Sequence, residues 1–143
     1  MSPLEPLQPQ TVLIVDDAPE NLKLMGGLLK DRYRIKVAGN GEKALEIAAA
    51  QPVPDLILLD VMMPGMDGLT VNRTLAADAR LKHIPVVIIS ALGRSADIQA
   101  GLETGVHAYL VKPFSPWELL DVVDKLTGKT PADGEPRVAE GRA

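Results

Sequence analysis

Cysteine is absent from the 143 residues, which excludes disulfides and thiolate metal sites alike. Aromatic side chains make up only 3% of the chain, with one Trp, one Phe and two Tyr. A core can still form from the 46% of apolar residues, but it has to be aliphatic. No apolar run approaches the roughly 20 residues that span a bilayer. The opening MSPLEPLQPQ has neither a basic stretch nor an apolar centre, so it does not read as a secretion signal. Positive charge is not in excess: fifteen basic residues face nineteen acidic ones, a net charge of −4. That balance argues against non-specific binding to nucleic acid or to anionic lipid. No G-x-x-x-x-G-K-[ST] segment is present, so a nucleotide-binding loop of that kind is excluded. The length suits one domain, and a soluble cytoplasmic protein is expected.

What is present is a regular alternation. Residues 1–10 carry three prolines without periodicity and read as a flexible leader. Short apolar runs then recur at Thr11–Val15, Tyr33–Ala38, Asp55–Asp60, Pro85–Ser90 and His107–Val111. Their length suits strands buried on both faces. Between them lie segments of helical period. The first, within residues 18–31, places Leu22, Met25, Leu28 and Leu29 on one stripe. Its Gly26-Gly27 pair weakens the helix and suggests close packing on the sheet. The others span Gly41–Ala50, about Gly68–Asp78, Ser95–Thr104 and Pro116–Leu126. Residues 127–143, rich in Gly, Pro and charge, read as a disordered tail or the start of a linker.

Five βα units imply an α/β fold, a five-stranded parallel sheet covered on both faces. Eight units would be needed for a closed barrel, so the sheet is expected to be open and doubly wound. By analogy with known open sheets of this size, the flavodoxin-like (βα)5 order 2-1-3-4-5 is expected. Ligands of such sheets bind outside the carboxyl ends of the strands. There the chain carries Asp16-Asp17, Asp60, Ser90 and, just beyond the fifth strand, Lys112-Pro113. Taken singly, each is an ordinary turn, cap or surface residue. Together they would converge on one rim. Three crowded carboxylates repel one another unless a hard cation joins them. Carboxylates, a cation and a fixed ammonium describe a phosphoryl-transfer site.

The segments VDDAPEN, LILLDVMMPGMDG, VVIISA and YLVKPF, in that order, resemble those of response-regulator receiver domains of bacterial two-component signalling (CheY-like). The likeness runs over residues 11–126, and the intervals of 30 and 22 residues between Asp60, Ser90 and Lys112 also suit the family. It implies a protein that is not an enzyme but a phosphoacceptor, which assists its own phosphorylation and dephosphorylation. Asp60 would take the phosphoryl group from a sensor histidine kinase or histidine phosphotransfer protein. The metal, Mg²⁺ or Mn²⁺, would be held by Asp17, Asp60 and the backbone carbonyl of Met62, with Asp16 acting mainly through water. Lys112 would pair with a phosphoryl oxygen, and its bond to Pro113 would be cis. Ser90 would turn toward the phosphoryl group, with small Ala91 leaving room.

Tyr109 matches the family's switch aromatic and would be biased inward. The alternative is a tyrosine packed permanently on the sheet. The face of helix four, strand five and helix five would then change, and could carry a dimer contact. Met62 and Met63 are expected to shape the loop over the site, Trp117 to anchor the last helix, and His83 and His107 to ligate nothing. Two other functions fit the residues less well. A phosphorylation-independent scaffold of the same fold would be expected to lack one of the acids or the lysine, and all are present. An aspartyl-nucleophile phosphatase would show D-x-D after a strand, which neither Asp16-Asp17 nor Asp60-Val-Met provides. Neither a helix-turn-helix segment nor a basic patch follows Leu126, so direct DNA binding is not expected.

Overall fold

The computed structural model describes residues 10–91, 93–103, 105–128 and 137–140, the last four through their backbone alone. Residues 1–9 of the expected leader lie outside the described residues. Five strands are β1 (Thr11–Val15), β2 (Arg34–Ala38), β3 (Leu56–Asp60), β4 (Val86–Ser90) and β5 (Ala108–Val111). They alternate with α1 (Pro19–Leu29), α2 (Gly41–Ala49), α3 (Gly68–Ala77), α4 (Ser95–Leu102) and α5 (Pro116–Leu126). All pairings are parallel and the order is 2-1-3-4-5, as expected. Every residue of β1, β3 and β4 is buried, which is why those segments read as unbroken apolar runs.

Strand alternation divides the core into two layers. Leu13, Val15, Ile57, Leu59, Ile88 and Tyr109 face one way and pack with Ala44 and Ala48 of α2, Val71 and Leu75 of α3, and partly buried Ile98 and Leu102 of α4. Val12, Ile14, Leu56, Leu58, Val87, Ile89 and Leu110 face the other way, onto Met25 and Leu29 of α1 and Leu119, Val122 and Val123 of α5. The helices begin where side chains satisfy free backbone N–H groups. Asn40 accepts from the amide of Lys43 and Asp67 from that of Thr70, each at 2.8 Å. Ser115 and Glu118 form a reciprocal capping box at α5.

Three details differ from the sequence reading. Within residues 127–143, Arg137–Glu140 form a sixth strand, β6, parallel to β5 with Tyr109 opposite Val138. The open edge of β5 supplies the hydrogen-bonding groups for it, so pairing does not require an apolar run. Trp117 does not anchor α5: it is 78% exposed, because Leu119, Val122 and Val123 form the inward stripe. Nor is the Gly26-Gly27 pair required by close packing. A Cβ on Gly26 would meet Ile35 at an ordinary 3.7 Å, and one on Gly27 would touch nothing within 4 Å.

Far from the carboxyl ends, Asp124 of α5 accepts hydrogen bonds from Arg32 and from the Tyr33 hydroxyl. The same hydroxyl meets Thr127 Oγ1 at 3.0 Å, and Gln10 donates to the Thr127 carbonyl at 2.9 Å. This polar clasp joins the start of the sheet to the end of α5.

Candidate functional site

The sheet ladder continues one step past the strands and fixes the rim. The Asp16 amide donates to the Ala38 carbonyl at 3.1 Å, and the Lys112 amide to the Ser90 carbonyl at 2.8 Å. Strand β1 thus delivers Asp16 and Asp17, β3 delivers Asp60, and the chain leaving β5 delivers Lys112. Because β3 lies between β1 and β4, the acids meet at the centre of the sheet. Asp16, Asp17 and Asp60 each present a carboxylate oxygen, and these atoms lie within 4.8 Å of one another. Asp16 and Asp60 are buried, whereas Asp17 is exposed.

Each buried acid is held by short-range partners. Asp16 Oδ1 accepts from the Ala18 amide at 2.9 Å. Its Oδ2 accepts from Asn21 Nδ2 at 3.1 Å and from Lys112 Nζ at 3.3 Å. Asp60 Oδ1 accepts from the Met62 amide at 3.2 Å. Burial, which disfavours the charged carboxylate, pushes the pKa of Asp60 up to about 6. The Lys112 ammonium and the Met62 amide pull it down, and Asp16 and Asp17 push it further up. Three clustered carboxylates face the ammonium of Lys112, so negative charge is in surplus at the rim. An all-oxygen donor set with surplus charge fits a hard divalent cation such as Mg²⁺.

The structure brings four residues from the sequence reading, Asp16, Asp17, Asp60 and Lys112, into this rim. The Lys112-Pro113 bond is cis, as expected. Met62 is 59% exposed while Met63 is buried, so the loop side chains point apart. Position 62 is where an aspartyl phosphatase would carry its second acid. Ser90 shares its strand face with Ile88, and is completely buried. Its side chain is hydrogen-bonded to Tyr109, whose ring is only 2% exposed. Burial, the largest influence, raises the pKa of the Tyr109 phenol. The ring therefore lies inward in this structure. His107 precedes β5, and burial lowers its pKa. Neither it nor His83 belongs to a metal-competent cluster among the described residues.

Two site residues were not read from the sequence in these roles. Asn21 orients Asp16 from the first turn of α1. Gly68, noted only as a turn and helix-start residue, lies against the backbone of Asp60: an added Cβ would sit 2.3 Å from its carbonyl oxygen. An apolar cavity of about 370 Å³ opens beside the rim, lined by Asn21, Leu24, Met25, Ala91, Lys112, Pro113 and Phe114.

Residues 12–124 match the response regulator receiver domain family. The response regulator PleD of Caulobacter vibrioides is 45% identical over 117 residues, which are 81% of this chain and 26% of PleD. The chain thus corresponds to about a quarter of that relative. Among solved structures, a response regulator from Chloroflexus aurantiacus, described as putative, superposes with a TM-score of 0.79 at 33% identity, over 84% of this chain and 98% of that one. The receiver domain of the sensor histidine kinase PA1611 of Pseudomonas aeruginosa has a TM-score of 0.77 at 29% identity, over 85% and 99% of the two chains. That domain carries a magnesium ion coordinated in its active-site cleft.

Proposed function

Because this chain belongs to the response-regulator receiver family of two-component signalling, we propose that Asp60 accepts a phosphoryl group from the phosphohistidine of a sensor kinase or phosphotransfer protein. The observation that carries this reading is the seat of Asp60: buried at the end of the central strand, grouped with Asp16 and Asp17 and bordered by Lys112. An Asp60 carboxylate oxygen attacks phosphorus along a line fixed by β3. The new P–O bond forms as the P–N bond to imidazole breaks. The leaving nitrogen keeps the electron pair and takes up a proton.

Asp17, Asp60 and the Met62 carbonyl would hold Mg²⁺ or Mn²⁺ directly, with Asp16 acting through water. When bound, the cation supplies positive charge that offsets the carboxylates and the phosphoryl oxygens. Lys112 exchanges part of its contact with Asp16 for a phosphoryl oxygen. Ser90 donates its hydroxyl hydrogen to the same group, and Ala91 leaves room beside it. A phosphoryl oxygen only accepts, so Ser90 then has its lone pairs left for the Tyr109 hydroxyl. The inward ring is favoured further, and the face of α4, β5 and α5 responds. That face meets a downstream protein or a second copy of the chain. Among the described residues no helix is long and apolar enough to cross a membrane, and the chain would meet its kinase in the cytoplasm.

Incubation with acetyl phosphate and Mg²⁺ should add one phosphoryl group by intact mass, labile to hydroxylamine. Asp60→Asn should abolish it. Equal labelling of the variant would overturn the assignment.

A further inference from the structure

Ser90 and Tyr109 project from the sheet face that α4 covers. Opposite the ring stands Gly101, buried within α4. A Cβ on Gly101 would lie 2.7 Å from Tyr109 Cε2, 2.8 Å from Cδ2 and 3.4 Å from Cδ1 of Ile88. Carbon atoms in contact prefer about 3.5–4.0 Å. Any side chain at position 101 and the ring in its present place therefore exclude one another. The backbone does not call for glycine here, since Gly101 is not among the residues of positive φ. A glycine inside a helix even costs about 1 kcal/mol relative to alanine. Its use is the space it leaves.

We infer that Gly101 is a positioning residue for phosphoryl uptake: it keeps open the slot in which Tyr109 lies inward, with its hydroxyl on Ser90. The inference rests on the reading of Asp60 as phosphoacceptor and of Ser90 as a donor to the phosphoryl group. Its chemistry is a chain of hydrogen bonds with one direction. Once a phosphoryl oxygen takes the single hydroxyl hydrogen of Ser90, the Tyr109 hydroxyl donates to the Ser90 oxygen. Each bond strengthens the other. Expelling the ring removes the outer link and leaves Ser90 less well aimed.

The test uses the full chain, beryllofluoride with Mg²⁺ as the phosphoryl mimic, and ring-labelled tyrosine. Only two tyrosines, Tyr33 and Tyr109, contribute signals. In Gly101→Ala the Tyr109 ring should lose its contact with the Ile88 methyl group while Tyr33 is unchanged. Beryllofluoride affinity should fall about five- to tenfold. In a Tyr109→Ala background the same substitution should change affinity less than twofold, because the slot is then empty. A ring that keeps its Ile88 contact, or an equal loss of affinity in both backgrounds, overturns the inference. Should Gly101→Ala fail to fold, recovery of the fold in the double variant supports the slot, and failure of both rejects it. Absence of beryllofluoride binding to the wild type would instead overturn the phosphoacceptor reading and with it the role in uptake, whereas binding with an undisplaced ring in Gly101→Ala overturns the inference alone.

Discussion

Single residues set the character of the rim. Asp60 titrates near 6, whereas an aspartate in the unfolded chain titrates near 4. Between those values the native protein binds more protons than the unfolded one, so without metal it loses stability as pH rises from about 4 to about 6. Asp60→Asn abolishes that loss. Denaturant melts in EDTA should show the variant more stable than wild type by on the order of 1–3 kcal/mol at pH 7. The gain should vanish near pH 4, and an equal gain at both pH values would contradict the account. Gly68 acts by its size. A methyl group there meets three backbone atoms, the Asp60 carbonyl oxygen at 2.3 Å, Val61 Cα at 2.8 Å and the Asp60 carbonyl carbon at 2.9 Å, none of which yields as a flexible side chain does. Gly68→Ala should cost about 1–3 kcal/mol and reduce labelling of Asp60 by acetyl phosphate.

At the scale of elements, caps and edges decide where structure starts and stops. The Ser115–Glu118 box closes the N-terminus of α5 through contacts of 3.2 and 3.1 Å. Ser115→Ala should destabilise the protein by about 1 kcal/mol and lower its melting temperature by roughly 3–5 °C, as read by circular dichroism. The ten elements from Thr11 to Leu126 were legible because their apolar periods are unmixed: buried runs for β1, β3 and β4, helical stripes between them. The sixth strand was not, because Arg137–Glu140 pairs through the backbone at an edge that belongs to β5. The position of Trp117 was misjudged for a related reason. An aromatic residue alone does not say which side of a helix faces inward, while Leu119, Val122 and Val123 together do.

For the whole molecule, strand order gathers the acids. Asp16, Asp17, Asp60 and Lys112 could be read as a group because strand ends are visible in sequence and the order reverses between them. Asn21 and Gly101 could not be read this way. One depends on α1 folding back over β1, the other on a ring presented by a strand adjacent only in space. The gathered charge carries a thermodynamic signature. Mg²⁺ at 100 times its dissociation constant should stabilise the folded state by about 2.7 kcal/mol. Asp17→Ala should remove most of that increment in melts with and without the ion, and an unchanged increment would remove Asp17 from the ligand set.

The placement of Trp117 has a practical outcome for anyone following these melts. The only indole of the chain already stands in water in the native fold. Its emission should be red-shifted before any denaturant is added and should change little on unfolding. A flat tryptophan trace would then describe the surface of an intact protein, and the far-ultraviolet amide signal is the readout to follow.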